Sequence, residues 1–345
     1  MAYALGELKL LAPVPHPTTN FAPIWLAKAL GYSDDEGLDL RIECVGSPKN
    51  AVEGVIAGRG DTTFVNVVFT LLARERGIGL RPYYAFVRTQ NRAFSVARDS
   101  ATKSLSDLRG KTIGLHYDDP ELRQFASAAL IGASVDPDKD VSFVPLPGSQ
   151  LDAPRMAKAI RDGEVDAVWQ LDVLAGLMEA EGVPLRLLPS SVIDPLTPSS
   201  CFNARDENLE ARPDAFGALG RAMAKSTLFA LTNPEEAIKL LWKRYPESGP
   251  AAGEDPARVF KRELAALRIR LAGHRVDAMP DPRWGAISVD EMTKWQDFLL
   301  QTKSIGTKRD PSIYFSDALV SRFNDFDAEA VRAQATTFSL EEEEA

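Results

Sequence analysis

Side chains able to do covalent or proton-transfer chemistry are sparse in this sequence. His16, His116 and His274 are its three histidines and Cys44 and Cys201 its two cysteines. Imidazole is the side chain whose charge changes near neutral pH, so the histidines are the natural candidates for a general acid and base. His16 and His116 each lie in a polar loop after a strand-like run, where both could reach one bound molecule; His274 falls in a helical region with no partner pattern. The cysteines lie far apart and show no CxxC spacing, which leaves one long-range disulfide or two separate thiols, and no metal-ligand set. Cys44 occupies the apolar phase of an alternating run and reads as a small buried hydrophobe. The residues point to binding without catalysis and without a cofactor.

Groups suited to recognition are more plentiful. The loop His16-Pro17-Thr18-Thr19-Asn20-Phe21 offers hydroxyls, an amide and a ring to a planar ligand, with Thr19 or Asn20 equally suited to cap the helix that follows. Gly46-Ser47-Pro48-Lys49 opens a helix with backbone donors and a cation, favourable for an acidic group, although capping explains it as well. Asn66 ends an apolar strand where a polar side chain needs a reason, as a cap or as a ligand contact. In His116-Tyr117-Asp118-Asp119-Pro120 the carboxylates already compensate a helix dipole and repel a further anion. That disfavours sulfate, nitrate or a small sulfonate and suits an amine, a hydroxylated compound or an aminopyrimidine. Trp169 and Gln170 close another strand, where an indole covers a ring and an amide reads its edge. Arg88 and Arg92 can hold a carboxylate bidentately or pair with surface acids.

These loops need strands and helices to position them, and the first half of the chain supplies both in alternation. Leu8, Leu10 and Ala12 alternate on a first strand, and Leu38, Leu40, Ile42 and Cys44 on a second. Strand and helix in turn, joined by short loops, call for parallel-rich sheets flanked by helices. A near repeat recurs: helix, Gly58-Arg59-Gly60-Asp61, strand, and later helix, Gly163-Glu164-Val165-Asp166, strand. Glycine would end each helix in the left-handed conformation, and each Asp would bond its own turn. The repeat suggests two lobes of like construction, and 345 residues with 45% apolar content suffice for two cores. A net charge of -9 with no Lys/Arg run longer than a pair gives nucleic acid no footprint. No window is apolar for long enough to span a bilayer, the start lacks a secretory pattern, and Glu341 to Glu344 read as a solvated tail.

Taken in order, Trp25-Leu26-Ala27-Lys28-Ala29-Leu30-Gly31-Tyr32, Glu36-Gly37-Leu38-Asp39-Leu40, Ala57-Gly58-Arg59-Gly60-Asp61, Leu105-Ser106-Asp107-Leu108-Arg109-Gly110-Lys111-Thr112-Ile113-Gly114, Asn233-Pro234-Glu235-Glu236-Ala237 and a Trp295 helix leading to Gly306 span most of the chain. They resemble the solute-binding proteins of ABC importers that include the sulfonate, nitrate and thiamine-pyrimidine binders, the SsuA/THI5-like (NMT1-like) group. The resemblance implies an α/β, two-lobed type II periplasmic-binding-protein fold with a ligand cleft between the lobes. Residues 1–101 would begin lobe I, 102–198 form an inserted lobe II, and 199–345 return to lobe I. Ala93 to Asp99 and Ser199 to Asp206 would be the hinge crossings. It further implies a monomeric periplasmic protein, or a cytoplasmic one, that closes on a small aromatic, pyrimidine-like or amine-bearing ligand and delivers it to a permease and ATPase. The alternative is an enzyme on the same fold. The yeast-type pyrimidine synthases of the group carry a Cys-rich cluster at the return strand, where this chain has Ser199-Ser200-Cys201-Phe202-Asn203 with one cysteine, and a related desulfinase needs a cysteine in the first loop, which has none. Cys201 remains a candidate ligand contact.

Overall fold

The computed structural model describes residues 4–115, 120–146, 153–277 and 279–340. Ten strands form among them: β1 (Glu7–Ala12), β2 (Asp39–Cys44), β3 (Thr62–Asn66), β4 (Leu80–Val87), β5 (Arg92–Ala97), β6 (Lys111–Leu115), β7 (Val141–Pro145), β8 (Ala167–Leu171), β9 (Leu185–Leu188) and β10 (Ser200–Arg205). They make two five-stranded sheets, ordered β2-β1-β3-β10-β4 and β7-β6-β8-β5-β9. In each sheet the first three strands are parallel and the fourth, β10 or β5, runs antiparallel to both neighbours. With helices flanking both sheets, this is the α/β, parallel-rich architecture that the strand-helix alternation called for.

The chain divides into two compact units. The first takes the residues up to 88, 198–260 and 274 onward, and the second takes 89–197 and 261–273. Two features differ from the expected boundaries. The segments expected as hinge crossings, Ala93 to Asp99 and Ser199 to Asp206, are largely β5 and β10, each held on both edges by ladder hydrogen bonds; the chain instead changes unit at Arg88–Thr89 and Thr197–Pro198. The helix Pro256–Ala272 also gives most of its length to the second unit. There Gly176 brings the helix Val173–Ala180 against the Ala265 backbone, so closely that a Cβ would lie 3.0 Å from the Ala265 carbonyl carbon.

The near repeat is visible in both units, with a different partner for its aspartate. Gly58 and Gly163 take positive φ (73° and 69°) after the helices Pro48–Ile56 and Ala153–Arg161. Asp61 accepts a hydrogen bond from the Lys9 amide of β1 at 2.7 Å, and Asp166 accepts one from the Thr112 amide of β6 at 2.9 Å. Each therefore binds the neighbouring strand, where a bond within its own turn was expected.

The core of the first unit is aromatic. Phe64, Phe86 and Phe202 pack across β3, β4 and β10 with centroids 5.2–5.9 Å apart, and Tyr83 and Tyr84 join them. The long helix Pro213–Thr232 is almost wholly buried, and Gly220 on it makes room for the Phe323 ring. Glu36, largely buried, lies 2.6 Å from both Arg221 and Lys225 of that helix. Burial alone would raise the Glu36 carboxyl, but hydrogen bonds and attraction from Arg221 and Lys225 outweigh it and hold the group below the usual carboxylate range.

Two outcomes follow. Gly220→Ala gains about 1 kcal/mol of helix propensity but drives a methyl into Phe323, so urea unfolding should show a net loss of about 1–2 kcal/mol. Glu36→Gln strands two cations and should cost about 2 kcal/mol at pH 7. Because the folded-state pKa is depressed, the Glu36 contribution is complete above the unfolded carboxylate value and is lost as pH falls through the lower folded value. Wild type and variant should draw together as pH falls below the usual glutamate value of about 4.3 and meet only below the lower folded value; a gap that does not narrow over that range removes the ionic account.

Candidate functional site

The C-terminal ends of parallel strands carry the loops and helix starts of an α/β unit, and in the first unit three of the expected loops, with Arg88, lie at that edge. After β1 the chain runs through Pro13 to Phe21. Neither Thr19 nor Asn20 caps the following helix, Ala22–Ala29, because its N-cap position is Phe21 and no side chain caps it. Thr18 and Thr19 instead hold hydroxyls that are buried and without hydrogen-bond partners, Thr19 being only 2% exposed. His16 is exposed, with Nδ1 2.9 Å from the Pro17 carbonyl oxygen. Asn20 is buried. The half-buried Phe21 ring packs edge-on against Phe64 at 4.9 Å.

After β2, Ser47 caps the helix Pro48–Ile56 by accepting from the Asn50 amide at 3.2 Å. Gly46 (φ 83°) donates its own amide to the Val14 carbonyl, and Lys49 is exposed beside Glu53 at 4.0 Å. This loop is occupied with its own structure, and the anion-binding expectation for Gly46, Ser47 and Lys49 gains nothing from it.

Asn66 divides its side chain. Its Oδ1 caps the helix Val67–Glu75 by accepting from the Val68 amide at 3.0 Å, while its Nδ2 is buried with no acceptor. Across the sheet Asn66 pairs with Ser200, and Ser200 with Val87, so Arg88 follows on the same edge. Arg88 is 3% exposed; its Nη1 donates to the Arg283 carbonyl at 3.3 Å, and its Nε has no partner. The holding carbonyl was illegible in the sequence, since it is a backbone group 195 residues away, fixed where Gly285 bridges Ala85. A buried donor without an acceptor costs about 1–3 kcal/mol, which makes the edge carrying Thr18, Thr19, Asn66 and Arg88 the candidate site in this unit.

Cys201 lies wholly buried on β10, and burial pushes its thiol well above the ordinary value. Burial likewise raises the half-buried Cys44 thiol, to about 11, with Glu247 and Glu43 adding to the effect. Both thiols are free. A thiol held protonated is a poor nucleophile, and Cys201, with no exposed surface, does not line the edge. Among the described residues no group of three His, Cys, Asp or Glu side chains is placed to bind a metal ion, and the return strand offers the single thiol of Cys201.

In the second unit, His116, Tyr117, Asp118 and Asp119 lie outside the described residues. Trp169 is 1% exposed with its ring 4.8 Å from Phe94, and Gln170 is fully buried, donating through Nε2 to Ser95 at 3.0 Å. The expected indole cover for a ligand ring is thus packed into the sheet of its own unit; a position at the end of β8 does not decide which face the side chain takes. Gln170 Oε1 and Asn91 Oδ1 remain buried acceptors without donors. Arg92 lies on β5, and Asp172, at the start of the helix Val173–Ala180, pairs with the wholly buried Arg270 at 2.9 Å.

With this geometry in view, comparison with known proteins is informative. A 4-amino-5-hydroxymethyl-2-methylpyrimidine phosphate synthase of Aspergillus parasiticus is 24% identical over 264 residues, covering 72% of this chain and 73% of that one. The periplasmic aliphatic sulphonate binding protein SsuA of Escherichia coli superposes with a TM-score of 0.65 at 15% identity, covering 90% and 92%. The desulfurization enzyme DSZB gives 0.58 at 16% identity, covering 91% and 98%. These two share the fold. The expectation that the protein is not an enzyme is overturned, because the curated relatives carry the names of synthases. The NMT1/THI5-like family profile matches residues 18–237, well over half of the chain, and the chain belongs to that family.

Proposed function

We propose that the protein captures a small organic ligand of the aromatic, pyrimidine-like or amine-bearing class at the strand-end edge of its first unit and delivers it to the permease and ATPase of an ABC importer, outside the cytoplasmic membrane. The observation that carries this reading is the edge itself. Asn66 keeps one half of its amide for a helix cap and leaves the other half as a buried donor, beside unpartnered Thr18 and Thr19 hydroxyls and the Arg88 guanidinium. Donors left without acceptors at the C-terminal edge of a parallel-rich sheet support a ligand there. The importer role is supported by the solved structures of this fold, which include the periplasmic sulphonate binder SsuA and the nitrate-binding protein NrtA of Synechocystis. No helix among the described residues is long and apolar enough to cross a membrane.

A second reading is favoured by the names of the curated relatives: chemistry on a pyrimidine held at the same edge. Both readings begin with binding and separate at the next step. Native mass spectrometry and calorimetry with aminopyrimidines, aromatic acids and amines establish the ligand, and chromatography of the same mixtures after incubation shows whether it leaves unchanged. Recovery of intact ligand supports delivery, whereas conversion moves the assignment to the synthase-like reading.

Asn66→Asp separates recognition from folding. The carboxylate still accepts from Val68 and keeps the cap, but the Nδ2 donor is gone. Denaturant midpoints should stay within about 0.5 kcal/mol of wild type while ligand affinity falls about tenfold or more. An unchanged affinity would remove Asn66 from the site.

A further inference from the structure

We propose that Arg88 is the receptor for a single oxyanion group on the ligand, a carboxylate or a phosphate monoester, at the C-terminal edge of β4. The assignment rests on the ligand-binding reading above and deepens it. Two fully or nearly buried arginines show the contrast that carries it. Arg270, 0% exposed in the second unit, has the Asp172 carboxylate 2.9 Å away. Arg88, 3% exposed, has no carboxylate within 4.0 Å among the described residues, and its single hydrogen bond there goes to the Arg283 carbonyl at 3.3 Å, leaving Nε unused.

Guanidinium does not shed its proton in proteins, so this charge stays in place whether or not it is compensated. The acids whose charge reaches this region are engaged elsewhere. Asp281 feels Arg88, but its two carboxylate oxygens take Arg283 at 2.9 and 2.6 Å. Glu291 accepts from the Ser288 amide and hydroxyl to cap the helix Val289–Gln301. The groups sharing the edge, Asn66 across β10 and Thr18 and Thr19 after β1, bring donors and no negative charge. A planar fork with a free Nε–H matches two oxygens of one oxyanion. An anion on the ligand supplies the counter-charge that the fold provides for Arg270 and withholds from Arg88.

The test uses inorganic phosphate as the probe, titrated against chloride at constant ionic strength, with thermal unfolding as the readout. Wild type should show a saturable rise in Tm of about 3 °C or more. Arg88→Met should lose it and, lacking an uncompensated buried cation, should melt at or above the ligand-free wild type. Arg88→Gln, which keeps a donor for the Arg283 carbonyl, should lose the phosphate effect too. A merely structural arginine predicts the reverse: both variants melt lower and the phosphate response is unchanged, which overturns the proposal. Wild type that binds pyrimidines or aromatic amines yet gives no saturable phosphate response also overturns the Arg88 assignment, while the ligand-binding reading stands. A phosphate response lost in both variants, with no organic ligand in the screen, sustains Arg88 and overturns the ligand class proposed above.

Discussion

The register of both sheets depends on one two-way interaction, made once in each unit. Asp61 accepts from the Lys9 amide at 2.7 Å and returns its own amide to the Lys9 carbonyl at 2.8 Å; Asp166 does the same with Thr112 at 2.9 and 2.8 Å. Each aspartate thereby pins the start of the third strand, β3 or β8, to the first, β1 or β6. A slip of one residue would turn the buried phase of a strand outward, so the lock decides which side chains face the core. It also fixes which residues reach the far edge: with Leu10 opposite Thr62, β1 ends at Ala12 just short of Asn66 on β3, and the loop after β1 leaves on the same side of the sheet.

What could be read from the sequence is what local physics dictates. Leu8 and Leu10, and Leu38 and Leu40, are fully buried as the alternation requires, and Gly58 and Gly163 stop their helices in the left-handed conformation. The partners of Asp61 and Asp166 could not be read, since they lie 52 and 54 residues away on another strand. The supposed crossings were legible as extended, glycine-free chain, but whether an extended segment hinges or joins a sheet is settled by neighbours distant in sequence. For β5 these neighbours are β8 and β9, and for β10 they are β3 and β4. Arg88 could be named as a candidate cation. Its isolation could not, because it depends on Asp281 turning to Arg283.

Aromatic side chains show the same division between type and use. Phe21 and Trp169 were the rings best placed by sequence to cover a planar ligand, yet each is taken up by another ring of its own unit, Phe64 and Phe94. Edge-to-face and tilted contacts of this kind add about 0.5–1.5 kcal/mol beyond simple burial, enough to hold a ring in the core when no ligand competes. On the proposed reading, recognition in the first unit falls to the polar groups of Thr18, Thr19, Asn66 and Arg88, since the rings are engaged with one another.

Polar recognition of this kind serves capture and catalysis alike, and the difference lies in whether a proton-carrying group stands with the donors. Cys201 does not qualify, buried and protonated in the middle of the sheet, and Cys44 is also raised. His274 is spent on structure, with Nδ1 2.7 Å from the Phe86 carbonyl and its ring against Phe86. His16 differs. It is exposed on the same loop as Thr18 and Thr19, and the Pro17 carbonyl, which can only accept, requires Nδ1 to be the donor. In the neutral ring Nε2 then carries the lone pair, so the tautomer suited to a general base is set by the backbone before any ligand arrives. Among the described residues that border the first-unit edge, His16 is thus the imidazole whose free nitrogen is left open to solvent.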